Sequence, residues 1–130
     1  MYLSALIPAR GGSKGIPNKN LRIFKGKSLI EWTIMQAISS HYIKRVIVLT
    51  DDLKIAEVSK NCGAEIPFIR PKYLATDSSP IIETITYTLE KLPELSVSER
   101  IGACISKPGK FIAIGLNYTD YQLSSRKKYE

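Results

Sequence analysis

Cysteine, histidine and tryptophan are scarce in this chain, numbering two, one and one in 130 residues. Cys62 and Cys104 stand far apart without metal-ligand spacing, and the lone His41 offers them no partner. A disulfide framework or a structural zinc site is therefore not what organises the fold. Long apolar runs are missing too: stretches such as residues 46–49 fall far short of the roughly 20 residues that a membrane helix needs. The opening MYLSALIP has no basic segment ahead of it, and Arg10 interrupts its apolar core. A secretory leader is not expected from that pattern, and a cytoplasmic location is. The third shortage is of acid, because residues 1–27 carry six bases and no Asp or Glu.

That asymmetry decides how the net charge of +7 is interpreted. Residues 28–99 hold seven bases and ten acids, whereas residues 100–130 hold six bases and two acids. The first basic cluster (Arg10, Lys14, Lys19, Arg22, Lys25, Lys27) lies on and just after a glycine-rich turn, with no aromatic residues alternating with the bases. A small polyanion fits such a cluster better than a nucleic-acid strand, which would call for stacking platforms. Arg22, Lys25 and Lys27 read as solvated surface charges.

What is present is an alternation of two periodicities. Residues 2–7 form an apolar strand that stops at Pro8 and the turn cluster Gly11, Gly12, Gly15, Pro17. Ser28 and Glu31 frame a capping box, and apolar residues recurring from Leu29 through Ile30, Ile34, Ala37 and Ile38 predict a helix to about Ser40. Residues 45–50, RVIVLT, have parallel-strand character. Asp51 or Asp52 caps a short helix that Gly63 ends. Residues 64–69 predict a third short strand, with Pro67 assigning it an edge position or an early end. Ser79 as cap and Pro80 in the first turn then open a helix whose shared face is Ile81, Ile85, Leu89 and Leu92. This βαβαβα order predicts an α/β fold, a Rossmann-like parallel sheet with helices on both faces. Ligands of such sheets bind at the carboxyl ends of the strands. The glycine turn, residues 50–52 and residues 70–79 are thus expected on one rim.

The loop LIPARGGSKGIPNKN has the glycine spacing of neither a Walker A loop nor a dinucleotide fingerprint. It nonetheless combines what a phosphate needs. Gly11, Gly12 and Gly15 allow close backbone approach, Arg10, Lys14 and Lys19 bring charge, and Ser13 and Asn20 bring neutral hydrogen bonds.

Together with VIVLTDD and FIRPKYLATDSSP, the string IPARGGSKGIPNKN resembles the acylneuraminate cytidylyltransferase family over about residues 1–95. The resemblance implies an incomplete nucleotide-diphospho-sugar transferase-type domain that binds CTP and, with Mg²⁺, joins it to an acidic nine-carbon sugar with release of pyrophosphate. It implies that Arg10, Gly11, Gly12, Ser13 and Lys14 hold the triphosphate. Lys19 and Asn20 match the family's Lys-Asn pair, with Lys19 nearest the reacting phosphate and Arg10 its catalytic companion. Arg70, Ser78 and Ser79 match the loop that closes over cytosine and ribose. Past Leu92 the family's Gln-containing loop, sugar-binding segments and Mg²⁺-binding Asp-x-Asp do not follow. No protein metal ligand is therefore assigned, and the chain is expected to bind CTP without making CMP-sugar at a useful rate. Residues 99–121, containing PGKFIAIGLNYTDY, resemble a segment of the fumarylacetoacetate hydrolases, with Tyr121 where that family has a catalytic histidine. A fusion with its junction between about Lys91 and Glu99 is expected, dividing the chain into 1–95 and 96–130. Residues 111–116 are expected to form a fourth parallel strand beside the first. The alternatives are a fragment of a metal-dependent hydrolase and a non-catalytic nucleotide-binding module.

Overall fold

The computed structural model describes residues 3–95. The hydrolase-like segment, the expected strand at 111–116, Cys104 and the basic tail lie outside them.

Strand β1 (Leu3–Pro8) pairs in parallel with β4 (Ile43–Leu49), from Ser4 opposite Arg45 to Pro8 opposite Leu49. Between them the chain forms a small antiparallel ladder, β2 (Ile23–Phe24) with β3 (Lys27–Ser28), and then helix α1 (Leu29–Ser39). The ladder was not expected from the sequence. Its turn places Lys25 at φ 48° and Gly26 at φ 83°, the two left-handed residues that a two-residue hairpin requires. Lys25-Gly26 was the available signal. The capping box is formed as expected: the Glu31 carboxylate accepts from the Ser28 N–H at 2.6 Å and its hydroxyl at 2.7 Å. Those two bonds hold the Glu31 carboxyl below its usual range.

Val46, Ile47, Val48 and Leu49 are all buried. Adjacent strand residues point to opposite faces, so both faces of β4 are covered. Val46 and Val48 join Ile30 and Ile34 of α1 and Ile55 of α2 (Leu53–Asn61) in the core. Asp52 is the N-cap of α2, accepting from the Lys54 and Ile55 N–H groups at 2.8 and 3.1 Å. Gly63, at φ 95°, takes the chain out of the helix.

Two local expectations are corrected. The third strand contracts to a single parallel bridge between Ile47 and Glu65, with Glu65 N–H donating to Val46 and Val48 N–H donating to Glu65. Pro67 lacks the N–H that would extend the ladder. The last helix, α3 (Ile81–Lys91), has Pro80 as its N-cap residue with no side-chain cap, because the Ser79 hydroxyl is used inside the preceding turn. Its buried positions are Thr84 and Thr88, while Ile81 remains 48% exposed. The threonines can face inward because Thr88 Oγ1 donates to the Thr84 carbonyl at 2.8 Å and Thr84 Oγ1 reaches the Leu74 carbonyl at 3.4 Å.

Candidate nucleotide site

The sheet ends by launching the glycine-rich loop. Ala9, buried, still donates to the Leu49 carbonyl at 3.0 Å, and the chain departs at Arg10. The next peptide unit is held from both sides: the Arg10 carbonyl accepts from Asn20 Nδ2 at 3.1 Å, and the Gly11 N–H donates to Asp51 Oδ1 at 2.9 Å. Gly11 also lies against Asp52 so tightly that a Cβ there would stand 2.7 Å from Oδ2 and 2.9 Å from the Asp52 Cβ. Close approach therefore explains this glycine. Gly12 and Gly15 differ, with nothing within 4 Å of an added Cβ. Further along, the Ser13 hydroxyl donates to the Ile16 carbonyl and accepts from the Lys19 N–H at 3.4 Å. Asn18, left-handed at φ 52°, then opens the 3₁₀ turn Lys19–Leu21, where Lys19 and Asn20 are half-buried.

The rim predicted from strand polarity is assembled. The Thr50 carbonyl at the end of β4 accepts from the Arg70 N–H at 2.8 Å, tying the third segment to the second. Arg70 is buried and its guanidinium donates to the Leu74 carbonyl, closing the 3₁₀ turn Lys72–Leu74. Ser79 donates to the Tyr73 carbonyl at 2.6 Å and accepts from Thr76 Oγ1 at 2.5 Å. Ser78 lies 3.4 Å from Thr76 Oγ1. The structure thus gives Gly11, Ser13, Asn20, Arg70 and Ser79 intramolecular partners that shape the two loops.

Charge joins those loops. Arg10 Nη1 lies 2.5 Å from Asp77 Oδ1, and Lys14 Nζ lies 3.3 Å from Asp77 Oδ2. The hydrogen bond from Arg10 is the main reason the Asp77 carboxyl is held below its ordinary range, with Lys14 adding to it against a desolvation penalty. Arg10 is the more enclosed cation, its side chain 18% exposed against 80% for Lys14. Two cations from the glycine loop therefore converge on a single anionic position. Strand polarity puts Asp51 and Asp77 on the expected rim, within residues 50–52 and 70–79, but does not identify either as a partner of the glycine loop. The local pattern suggests only a helix cap for Asp51, and no spacing rule links Asp77 to Arg10.

No helix among the described residues is long and apolar enough to cross a membrane. Nor do the described residues contain a group of three or more His, Cys, Asp or Glu that could hold a metal ion.

A sequence model of the cytidylyltransferase family matches residues 4–101. The CMP-N,N'-diacetyllegionaminic acid synthase of Legionella pneumophila is 42% identical over 97 residues, covering 75% of this chain and 42% of that protein. The pseudaminic acid cytidylyltransferase of Campylobacter jejuni is 41% identical, over 67% of this chain and 38% of its own length. The N-acylneuraminate cytidylyltransferase of Oncorhynchus mykiss is 40% identical, over 74% and 22% respectively. This chain thus spans well under half the length of these relatives. Among solved structures, CMP:2-keto-3-deoxy-manno-octonic acid synthetase complexed with CTP superposes with a TM-score of 0.59 at 24% identity, over 71% of this chain and 36% of that one. That likeness establishes the fold.

Proposed function

The chain belongs to the cytidylyltransferase family, and from that premise we propose that it binds the triphosphate of CTP on the loop from Arg10 to Asn20. The observation that carries this reading is the convergence of Arg10 and Lys14 on one carboxylate at the carboxyl end of β1. A place where two cations hold an anion is suited to a phosphate, and the sheet's polarity puts it where ligands of such folds bind. In the reaction to which this site would contribute, a hydroxyl of an acidic nonulosonic sugar attacks the α-phosphorus. The new P–O bond forms as the bond to the β-phosphate oxygen breaks, the hydroxyl proton passes to solvent, and pyrophosphate leaves. Positioning and charge stabilisation are the protein's main tasks in such a transfer. Arg10 and Lys14 would neutralise phosphate oxygens, with Lys19 nearest the reacting phosphate. Ser13 and Asn20 would keep the loop in shape, and Arg70, Ser78 and Ser79 would order the facing loop.

A Mg²⁺ requirement is part of the family resemblance, yet the described residues do not fit a protein-held ion. Asp51 is bonded to Gly11, Asp52 caps α2, and Asp77 pairs with Arg10 and Lys14. We propose that this chain alone turns CTP over poorly, without the charge stabilisation that a bound metal supplies. A cytoplasmic location is also proposed, on the ground that the ligand is a nucleoside triphosphate; cell fractionation tests it. The hydrolase-like segment within residues 96–130 is a separate proposal supported by its sequence string alone. Metal-dependent hydrolysis of fumarylacetoacetate by the full chain tests that.

Isothermal titration with CTP, ATP and GTP, with and without Mg²⁺, tests the main reading. Arg10→Ala should weaken CTP binding about tenfold or more, the loss of about 1.4 kcal/mol, and Lys14→Ala should act in the same direction. Unchanged affinity in both variants would refute the site. Equal affinity for all three nucleotides would instead favour a generic anion-binding module. Pyrophosphate release near one per second with CTP, Mg²⁺ and N-acetylneuraminate would overturn the expectation of poor turnover.

A further inference from the structure

We propose that Asp51 is a positioning residue of the nucleotide site, acting through the Gly11 N–H to fix the peptide unit from which the Arg10 side chain projects. This rests on the nucleotide reading above and goes further by assigning a task to an acid beside a cationic loop. A carboxylate in that place opposes anion binding, a cost that its hold on the Gly11 N–H would have to offset. The two adjacent acids divide their labour: Asp52 holds the first turn of α2 through Lys54 and Ile55, whereas the Asp51 side chain reaches across to Gly11.

The amide plane between Arg10 and Gly11 is gripped at both ends, its carbonyl by Asn20 Nδ2 at 3.1 Å and its N–H by Asp51 Oδ1 at 2.9 Å. Without these two bonds, glycine on one side would let that plane rotate easily. With them, the backbone is set from Ala9, still bonded to Leu49, through to Gly11. Arg10 lies within the clamped stretch, and its guanidinium reaches the anionic position now held by Asp77. A displacement of about 1 Å in such a charged group can cost a reaction about a hundredfold. An ionised carboxylate is an acceptor only, which suits it to an N–H donor. Asparagine can offer the same oxygen, whereas alanine cannot.

The test is a double-mutant cycle read by titration of CTP into the full chain: wild type, Asp51→Ala, Asp51→Asn, Arg10→Ala and the Asp51→Ala/Arg10→Ala pair. Asp51→Ala should weaken CTP about tenfold, and Asp51→Asn should bind at least as well as wild type. In the Arg10→Ala background, Asp51→Ala should change affinity by less than about twofold, because its effect passes through Arg10. Should the alanine variant not fold, Asp51→Glu carries the same cycle, since it keeps the charge and displaces the oxygen by one methylene. Equal losses in both backgrounds, or wild-type affinity in Asp51→Ala, would overturn the assignment of Asp51 and leave the nucleotide site standing if Arg10→Ala is impaired. Wild-type affinity in Arg10→Ala would overturn the assignment of Asp51, and the nucleotide site falls with it only if Lys14→Ala also binds like wild type.

Discussion

Replacing Gly11 with alanine tests the packing of the site without touching any charge. The added methyl would stand 2.7, 2.9 and 3.2 Å from Oδ2, Cβ and Cγ of Asp52. Rotating the Asp52 side chain can relieve the first and third contacts, but its Cβ moves only with the backbone. Either response disturbs the cap that Asp52 places on Lys54 and Ile55. Losing an N-cap costs about 0.5–2 kcal/mol, and overfilling a close contact costs about 1–3 kcal/mol. The total is on the order of 1.5–5 kcal/mol, a large share of the roughly 5–15 kcal/mol that holds a domain together. At roughly 4–8 °C per kcal/mol for a domain of this size, a midrange loss of about 3 kcal/mol lowers Tm by about 12–24 °C. Gly12→Ala is the internal control, because nothing lies within 4 Å of its Cβ position. Thermal unfolding followed by circular dichroism compares the two variants. Equal Tm values for Gly11→Ala and Gly12→Ala would refute the close contact and the role given to Asp52.

The remaining predictions concern charge. Asp77 has a lowered folded pKa, so its bridge to Arg10 and Lys14 contributes above the ordinary value of 3.8 and is lost as pH falls through the lower folded value. A carboxyl titration by NMR should find its midpoint below 3.8 in the wild type and raised toward the ordinary value in Arg10→Ala, where Lys14 still acts; the same midpoint in both would disprove the pairing. Asp77→Asn should tighten CTP binding several-fold, since it removes the carboxylate that occupies the two cations, and weaker binding would count against that competition. Arg45 makes a two-pronged contact with Glu65 at 2.8 and 3.1 Å and reaches Glu94 at 3.4 Å, all partly exposed. Arg45→Ala should therefore cost only about 0.2–1 kcal/mol in urea unfolding at neutral pH. Glu65 is held low chiefly by its hydrogen bond from Arg45, so that difference should fade as pH drops below 4.5; a difference constant with pH would exclude the pairing as its cause.

Much of the fold was legible because its signals are local. Ser28 and Glu31 announce the start of α1, the pair Asp51-Asp52 the start of α2 and Gly63 its end, and each cap acts on atoms within a few residues. The unbroken apolar run of β4 likewise required burial on both faces. The parallel order of elements, and with it the common rim of the glycine loop, Thr50 and Arg70, followed from alternation and strand polarity. The two left-handed residues of the β2–β3 turn are an equally local signal, though Lys25-Gly26 is a weaker one than Asn-Gly or Asp-Gly.

By itself, then, the sequence determined the three helices and the two parallel strands β1 and β4, and that cationic and glycine residues gather at the end of β1. Tertiary structure decided which groups meet there. Asp77 reaches Arg10 and Asp51 reaches Gly11 only because parallel pairing brings the ends of β1 and β4 side by side and the Arg70 N–H ties the next loop to Thr50. The single bridge at Glu65 and the inward turn of Thr84 and Thr88 have the same origin, since both depend on partners supplied by distant segments. Propensity and capping act over one or two helical turns, whereas ion pairs and backbone clamps are selected by geometry that exists only once the sheet has formed.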